Sequence, residues 1–141
     1  RERLQFKFIN KNEDLKGKKI GLQAGSSAAN AVDGAPEFKA SVKDIIEFKE
    51  NLTALMDLEI GGLDAVVVDL LVANDNIRRS GKDFRILEES LAPEHYGIGF
   101  RKNDIALRNA VQEQLEAMAA DGTMARIATE WFGADITIVG K

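Results

Sequence analysis

KKIGLQAGSSAA, residues 18–29, sets a short apolar run, Ile20-Gly21-Leu22, directly before a Gly-Ser-Ser turn and small residues able to open a helix. A brief apolar run bounded by turn residues predicts a buried strand, here over 19–23. The turn predicts a helix from Ser26 to about Val32. The first turn of a helix leaves backbone N–H groups without acceptors, and the helix dipole places partial positive charge there. Gly25 lets the backbone approach a bound group closely, and Ser26 and Ser27 bring hydroxyl donors. Together they make a small anion cradle. Gln23, at the mouth of the strand, reads either as a pocket wall or as the strand's last exposed position.

Further along, LDAVVVDLL (63–71) is a second apolar run. It predicts a strand over 64–68 that ends in the carboxylate of Asp69, which is also placed to cap a helix over 70–79. Between the two lies DIIEF (44–48), a third strand. Asn51 is expected to cap the next helix, with an apolar face of Leu52, Leu55 and Met56, and Gly61-Gly62 to end it. Asp33-Gly34-Ala35-Pro36 breaks the first helix. Strands alternating with helices predict an α/β fold: a parallel-dominated sheet, helices on both faces, right-handed crossovers. Such sheets bind ligands beyond the C-terminal ends of their strands, where the strand order reverses. With strand 19–23 between 44–48 and 64–68, Ser26 and Asp69 face each other there. A donor-rich helix start opposite a carboxylate can hold the two ends of a zwitterion.

The flanks carry weaker patterns. LQFKFI (4–9) alternates like a strand, and a short strand is expected near 84–87. HYGIGFR (95–101) sets Tyr96, Ile98 and Phe100 on one face and Gly97 and Gly99 on the other. Those glycines read as a hinge or as a place of close packing. Beyond them two helices follow. Leu107, Val111, Gln114, Leu115 and Met118 form one stripe; Met124, Ile127, Ala128 and Trp131 form the next, with Asp121-Gly122-Thr123 between. Trp131 and Phe132 on this stripe are expected to pack in a core rather than to stack on a ligand.

The bulk composition narrows the function. The 141 residues are 45% hydrophobic and 30% charged, an ordinary globular balance. A net charge of −4 without a basic block argues against a nucleic-acid partner. With no cysteine there is no disulfide, thiolate metal site or cysteine nucleophile. The single histidine, His95, has no histidine or cysteine to share a metal with, so no metal site is expected. The apolar stretch 65–73 is interrupted by Asp69 and too short to span a bilayer.

Four segments, DLKGKKIGLQAGSSAA (14–29), ALMDLEIGGLDAVVVD (54–69), YGIGFRKND (96–104) and LEAMAADGTMARIATEWFG (115–133), resemble in order and spacing the extracellular solute-binding proteins of polar amino-acid ABC transporters, family 3 type. The likeness covers roughly residues 13–133. It implies the type II periplasmic-binding-protein fold, in which two α/β lobes joined by two hinge strands close on the ligand. On this resemblance residues 13–101 form the second, ligand-binding lobe, with a returning hinge strand at 95–101. Residues 104–141 form C-terminal helices that belong to a first lobe with no counterpart here. The resemblance implies that Gly25, Ser26 and Ser27 meet an α-carboxylate, Asp69 an α-amino group, and Gln23 the ligand side chain. It implies no enzyme activity, no catalytic residue and no cofactor. The implied partners are a free amino acid, the transporter permease of the parent protein and, through the exposed stripes of the C-terminal helices, a second copy of the chain. The implied location is periplasmic or extracellular, with a lipid anchor one option for the parent protein and the signal sequence outside this chain.

Three other readings compete. DAVVVD followed by a helix resembles the phospho-acceptor strand of a receiver domain. A receiver needs a carboxylate pair after its first strand to hold Mg²⁺, and Leu22-Gln23-Ala24-Gly25 offers none. A dehydratase of the same binding-protein fold needs a general acid or base; Asp69, Glu88, Glu89 and Glu94 are the available carboxylates, and no arrangement singles out a pair. An extracytoplasmic amino-acid sensor domain uses the same lobes and stays open.

Overall fold

The computed structural model describes residues 9–141, which fall in two compact units divided between Glu94 and His95. The strand expected over 4–9 falls outside the described residues except for Ile9, which is in no regular element.

In the first unit the order is a 3-10 turn over Asn12–Leu15, β1 (Lys19–Gln23), α1 (Ser27–Asp33), α2 (Pro36–Ser41), β2 (Asp44–Phe48), α3 (Asn51–Ile60), β3 (Ala65–Val66) and α4 (Leu70–Ser80). The three strands form one parallel sheet in the order β2-β1-β3, with β1 central as its apolar run requires. Lys19 pairs with Asp44 and Gln23 with Phe48 on one side; Ile20 pairs with Ala65 and Gly21 with Val66 on the other. The β3 ladder is bracketed by Asp64 N–H to Lys19 O (2.9 Å) and Val67 N–H to Gly21 O (2.9 Å), so pairing spans most of the expected 64–68 although only two residues are regular strand.

Period-two alternation divides the core. Ile20 and Leu22 point to one face and pack with Ala28 and Val32 of α1, ringed by Phe38, Val42 and Ile45. Gly21 points to the other, where an added Cβ would lie 2.4 Å from Leu63 Cδ1. The chain steps from β1 out to β2 and then back across β1 to β3. Right-handed crossovers therefore carry α1 and α3 on opposite faces.

Several local expectations change. A further helix, α2, forms where only a break was expected: Pro36 stands at its first position, where the missing N–H costs nothing. Asn51 does not cap α3. The N-cap is Glu50, and the Asn51 side chain turns to Gln23 instead. Of the expected α3 face only Leu55 is buried, beside Ala54, while Leu52 and Met56 face outward. No strand forms over 84–87. Arg85 in that segment donates to Asn10 Oδ1 (3.0 Å) and to Ile9 O. Gly61 ends α3 as expected, and Gly81 ends α4 in the same way, both as left-handed C-caps.

The second unit contains α5 (Ile105–Ala120) and α6 (Thr123–Phe132), which pack on each other. Asp121 closes α5 and accepts from the Thr123 N–H (2.8 Å), while Gly122 turns the chain at φ +81°. Residues 95–101 belong to no regular element. The core packing expected of Trp131 is not seen within this chain. No α5 residue is buried, Ala128 is the buried residue of α6, and Trp131 is 58% exposed.

Candidate functional site

The candidate residues lie in the first unit, where β1 and β3 run out into α1 and α4. Because the strands are parallel and in register, both helices start from the same edge of the sheet, beyond the strands' C-terminal ends. This is where a strand order that reverses opens a crevice.

At the end of β1, Gly25 takes φ +67°, a left-handed conformation that disfavours any side chain, and an added Cβ would meet no atom within 4 Å. The glycine is thus required by the turn, and the space beside it is open. Ser26 is the N-cap of α1. Its Oγ accepts from Ala29 N–H (3.3 Å) and donates to Gln23 O (2.7 Å). The hydroxyl expected to be a ligand donor is therefore committed to the turn. What the turn presents is backbone: the N–H groups of Ser27 and Ala28 stand in the first turn, where no intrahelical acceptor exists. Ser27 is exposed at the first helical position.

Asp69 sits at the matching junction after β3. Its Oδ1 accepts from Leu71 N–H (2.9 Å) and Val72 N–H (3.0 Å), capping α4. The carboxylate is thereby held in one orientation, partly buried at the sheet edge.

Gln23 is held at both ends of its amide. Nε2 donates to Lys49 O (2.9 Å), and Oε1 accepts from Asn51 Nδ2 (2.9 Å). Sequence reasoning treated Asn51 as a helix cap and missed this pairing, because the partners are 28 residues apart and meet only through the β1–β2 register. Among the other carboxylates, Glu89 accepts from Asn12 N–H (2.7 Å), a structural tie. No cluster of metal-ligating side chains occurs among the described residues, and no described helix is long and apolar enough to cross a membrane. A cavity of about 350 Å³ lies in the second unit, lined by Ile98, Phe100, Arg101, Lys102, Asp104, Ile105 and Arg108, and contains none of the candidate residues.

Residues 3–134 match the family model described as bacterial extracellular solute-binding proteins, family 3. The chain is 31% identical over 125 residues to the L-cystine-binding protein TcyJ of Escherichia coli (strain K12), covering 89% of this chain and 46% of that protein. Among solved structures it resembles a polar amino acid ABC uptake transporter substrate binding protein from Streptococcus thermophilus, at 26% identity and TM-score 0.67, covering 92% of this chain and 51% of that one. It also resembles an ancestral arginine-binding protein bound to arginine, at 36% identity and TM-score 0.64, covering 89% and 55%. The chain thus spans about half the length of the relatives it matches. With a parallel sheet, paired helix starts at its C-terminal edge and a match over nearly its whole length, the chain belongs to the bacterial extracellular solute-binding proteins of family 3.

Proposed function

We propose that this chain is the second lobe and the C-terminal helices of an amino-acid-binding receptor that serves an ABC transporter. The observation carrying the reading is the strand order β2-β1-β3, which sends the Ser26-capped and Asp69-capped helices out from one edge of a parallel sheet. The N–H groups of Ser27 and Ala28 would take the ligand's α-carboxylate, with Gly25 keeping the approach open. Asp69 would take the α-amino group. Gln23 would stand beside the ligand's side chain. Capture of a solute in this way needs no general acid, metal or cofactor. The names of the relatives, which specify cystine and arginine, point to a free amino acid as the ligand class.

On this reading residues 13–101 are the ligand-binding lobe, with 95–101 the return to the partner lobe, and residues 104–141 are helices that dock on that lobe. The family description, extracellular solute-binding proteins, supports a location outside the cytoplasm for the parent protein. The permease of the transporter is the partner of the full receptor, and the exposed apolar residues of α5 and α6 favour a homodimer of this chain.

The test is an amide NMR titration of the 141-residue chain with L-arginine and L-glutamine. Shifts are expected at residues 25–28 and 69, with affinity in the millimolar range because a single lobe supplies only part of the grip. Asp69→Asn keeps a good helix cap and removes the charge. It should weaken binding about tenfold, the scale of one charge-assisted hydrogen bond. Binding that survives Asp69→Asn unchanged would overturn this placement.

A further inference from the structure

The second unit carries three cations without a partner. Arg101, Lys102 and Arg108 make no ion pair and no side-chain hydrogen bond among the described residues. The unit's two other lysine and arginine residues are paired, Arg126 with Glu130 (3.8 Å) and Lys141 with Asp135 (2.8 Å). A turn brings the three together. Arg101 O accepts from the Asp104 N–H (3.0 Å), and Asp104 O accepts from the Arg108 N–H (2.9 Å), which sets residues 101 and 102 beside the start of α5. All three line the cavity of about 350 Å³, which is at the lower end of the size range of small-molecule sites.

Charge decides what this cavity can hold. Asp104 is the single carboxylate on its wall, so two positive charges stay in surplus. Three like charges around one hollow repel one another, and one carboxylate offsets only part of that repulsion. The three cationic side chains are exposed, and a solute can reach them. Ile98 and the partly buried Phe100 add an apolar stretch to the same wall. The two guanidiniums present planar forks that match oxyanions, and the ammonium adds a point charge. A carboxylate brings one charge and two oxygens, too few for three cations. A phosphate monoester brings close to two charges and three acceptor oxygens.

We propose that this cavity is a second binding site, that it takes a phosphate monoester, and that Arg101, Lys102 and Arg108 hold the phosphate while Phe100 and Ile98 meet the group carrying it. The site shares no residue with the candidate amino-acid site and does not depend on that reading.

The experiment is an amide NMR titration of the 141-residue chain with three probes: phenyl phosphate; benzoate, which has the same ring and a single charge; and inorganic phosphate, which has no apolar body. Phenyl phosphate should shift residues 98–108 and bind about tenfold more tightly than benzoate, the scale of one further charge-assisted contact. It should also bind several-fold more tightly than inorganic phosphate, because part of its ring leaves water against Phe100. Arg101→Gln and Arg108→Gln should each weaken phenyl phosphate about tenfold. Arg126→Gln removes the same charge from a residue outside the cavity and should leave binding unchanged. A urea midpoint for each variant separates loss of binding from loss of fold. Sedimentation with phosphatidylcholine vesicles, with and without phosphatidate, identifies the source of the phosphate. Retention that requires phosphatidate and is competed away by phenyl phosphate marks a lipid headgroup; phenyl phosphate binding without retention marks a soluble ester. Absence of shifts at residues 98–108 with millimolar phenyl phosphate would overturn the proposal. So would benzoate or inorganic phosphate binding as tightly as phenyl phosphate, or Arg126→Gln weakening the complex as much as Arg108→Gln, which would reduce the effect to net charge.

Discussion

Single residues in this lobe do two kinds of work, and Gly21 illustrates the packing kind. Its position at the centre of β1 leaves no room for a side chain: a Cβ would stand 2.4 Å from Leu63 Cδ1 and 3.0 Å from Phe48 Cε2, and Leu63 is itself buried. Glycine normally weakens a strand, so its use here marks close approach of the layer above. Gly21→Val should therefore destabilise the chain by about 2 kcal/mol or more despite the better strand propensity of valine, since overpacking a closed core forces neighbours off their rotamers. The urea midpoint measures this, and a Gly21→Val chain as stable as the parent would contradict the packing account. Ser26 and Asp69 illustrate the second kind. Each is a helix cap by its hydrogen bonds, and each is also the residue that aims a helix start at the candidate site.

At the scale of elements, the segment after α6 is tied by charge rather than by an apolar core. Asp135 accepts from Lys141 Nζ (2.8 Å) and from Thr137. The Lys141 hydrogen bond first, and then those from Thr137, hold the pKa of the Asp135 carboxyl down at about 2. A depressed carboxyl pKa stabilises the folded arrangement above its unfolded value and loses that contribution as pH falls through the folded one. The tie should therefore be intact at neutral pH, weaken below about pH 4 and be gone near pH 2. A carbon-detected carboxyl titration should place the Asp135 inflection at about 2, and Lys141→Ala should move it upward. An inflection at the ordinary carboxylate value in the parent chain would show that the tie does not form in solution.

For the whole molecule, the second unit exposes a large apolar surface. Ile105, Leu107, Trp131 and Ile138 are each more than half exposed, and Tyr96 and Ile98 join them in the segment before α5. The apolar side chains of the two stripes would contribute on the order of 10 kcal/mol if buried, and apolar patches of that extent favour association. We expect the isolated chain to dimerise through α5 and α6. Light scattering should give about twice the chain mass, and Trp131 emission should move to the red on dilution. A strict monomer with solvated-indole emission at all concentrations would show that this face stays in water.

The fold was legible because its signals are local and repeated. Apolar runs ending in Gly-Ser-Ser and in Asp gave the strands β1 and β3 and the helix starts after them, and the glycine at 61 marked a helix end by the left-handed conformation that glycine tolerates cheaply. The expectation that strand 19–23 lies between the other two agrees with the observed order β2-β1-β3. Pairings between distant residues were not legible. Asn51 has the composition of a helix cap, and only the β1–β2 register brings its amide to Gln23 rather than to its own backbone. The Ser26 hydroxyl looks like a ligand donor in the sequence and is spent on Gln23 O in the fold. The apolar stripes of α5 and α6 announced helices correctly but not their burial. Periodicity reports which face is apolar, and only the tertiary structure decides whether another surface is there to cover it.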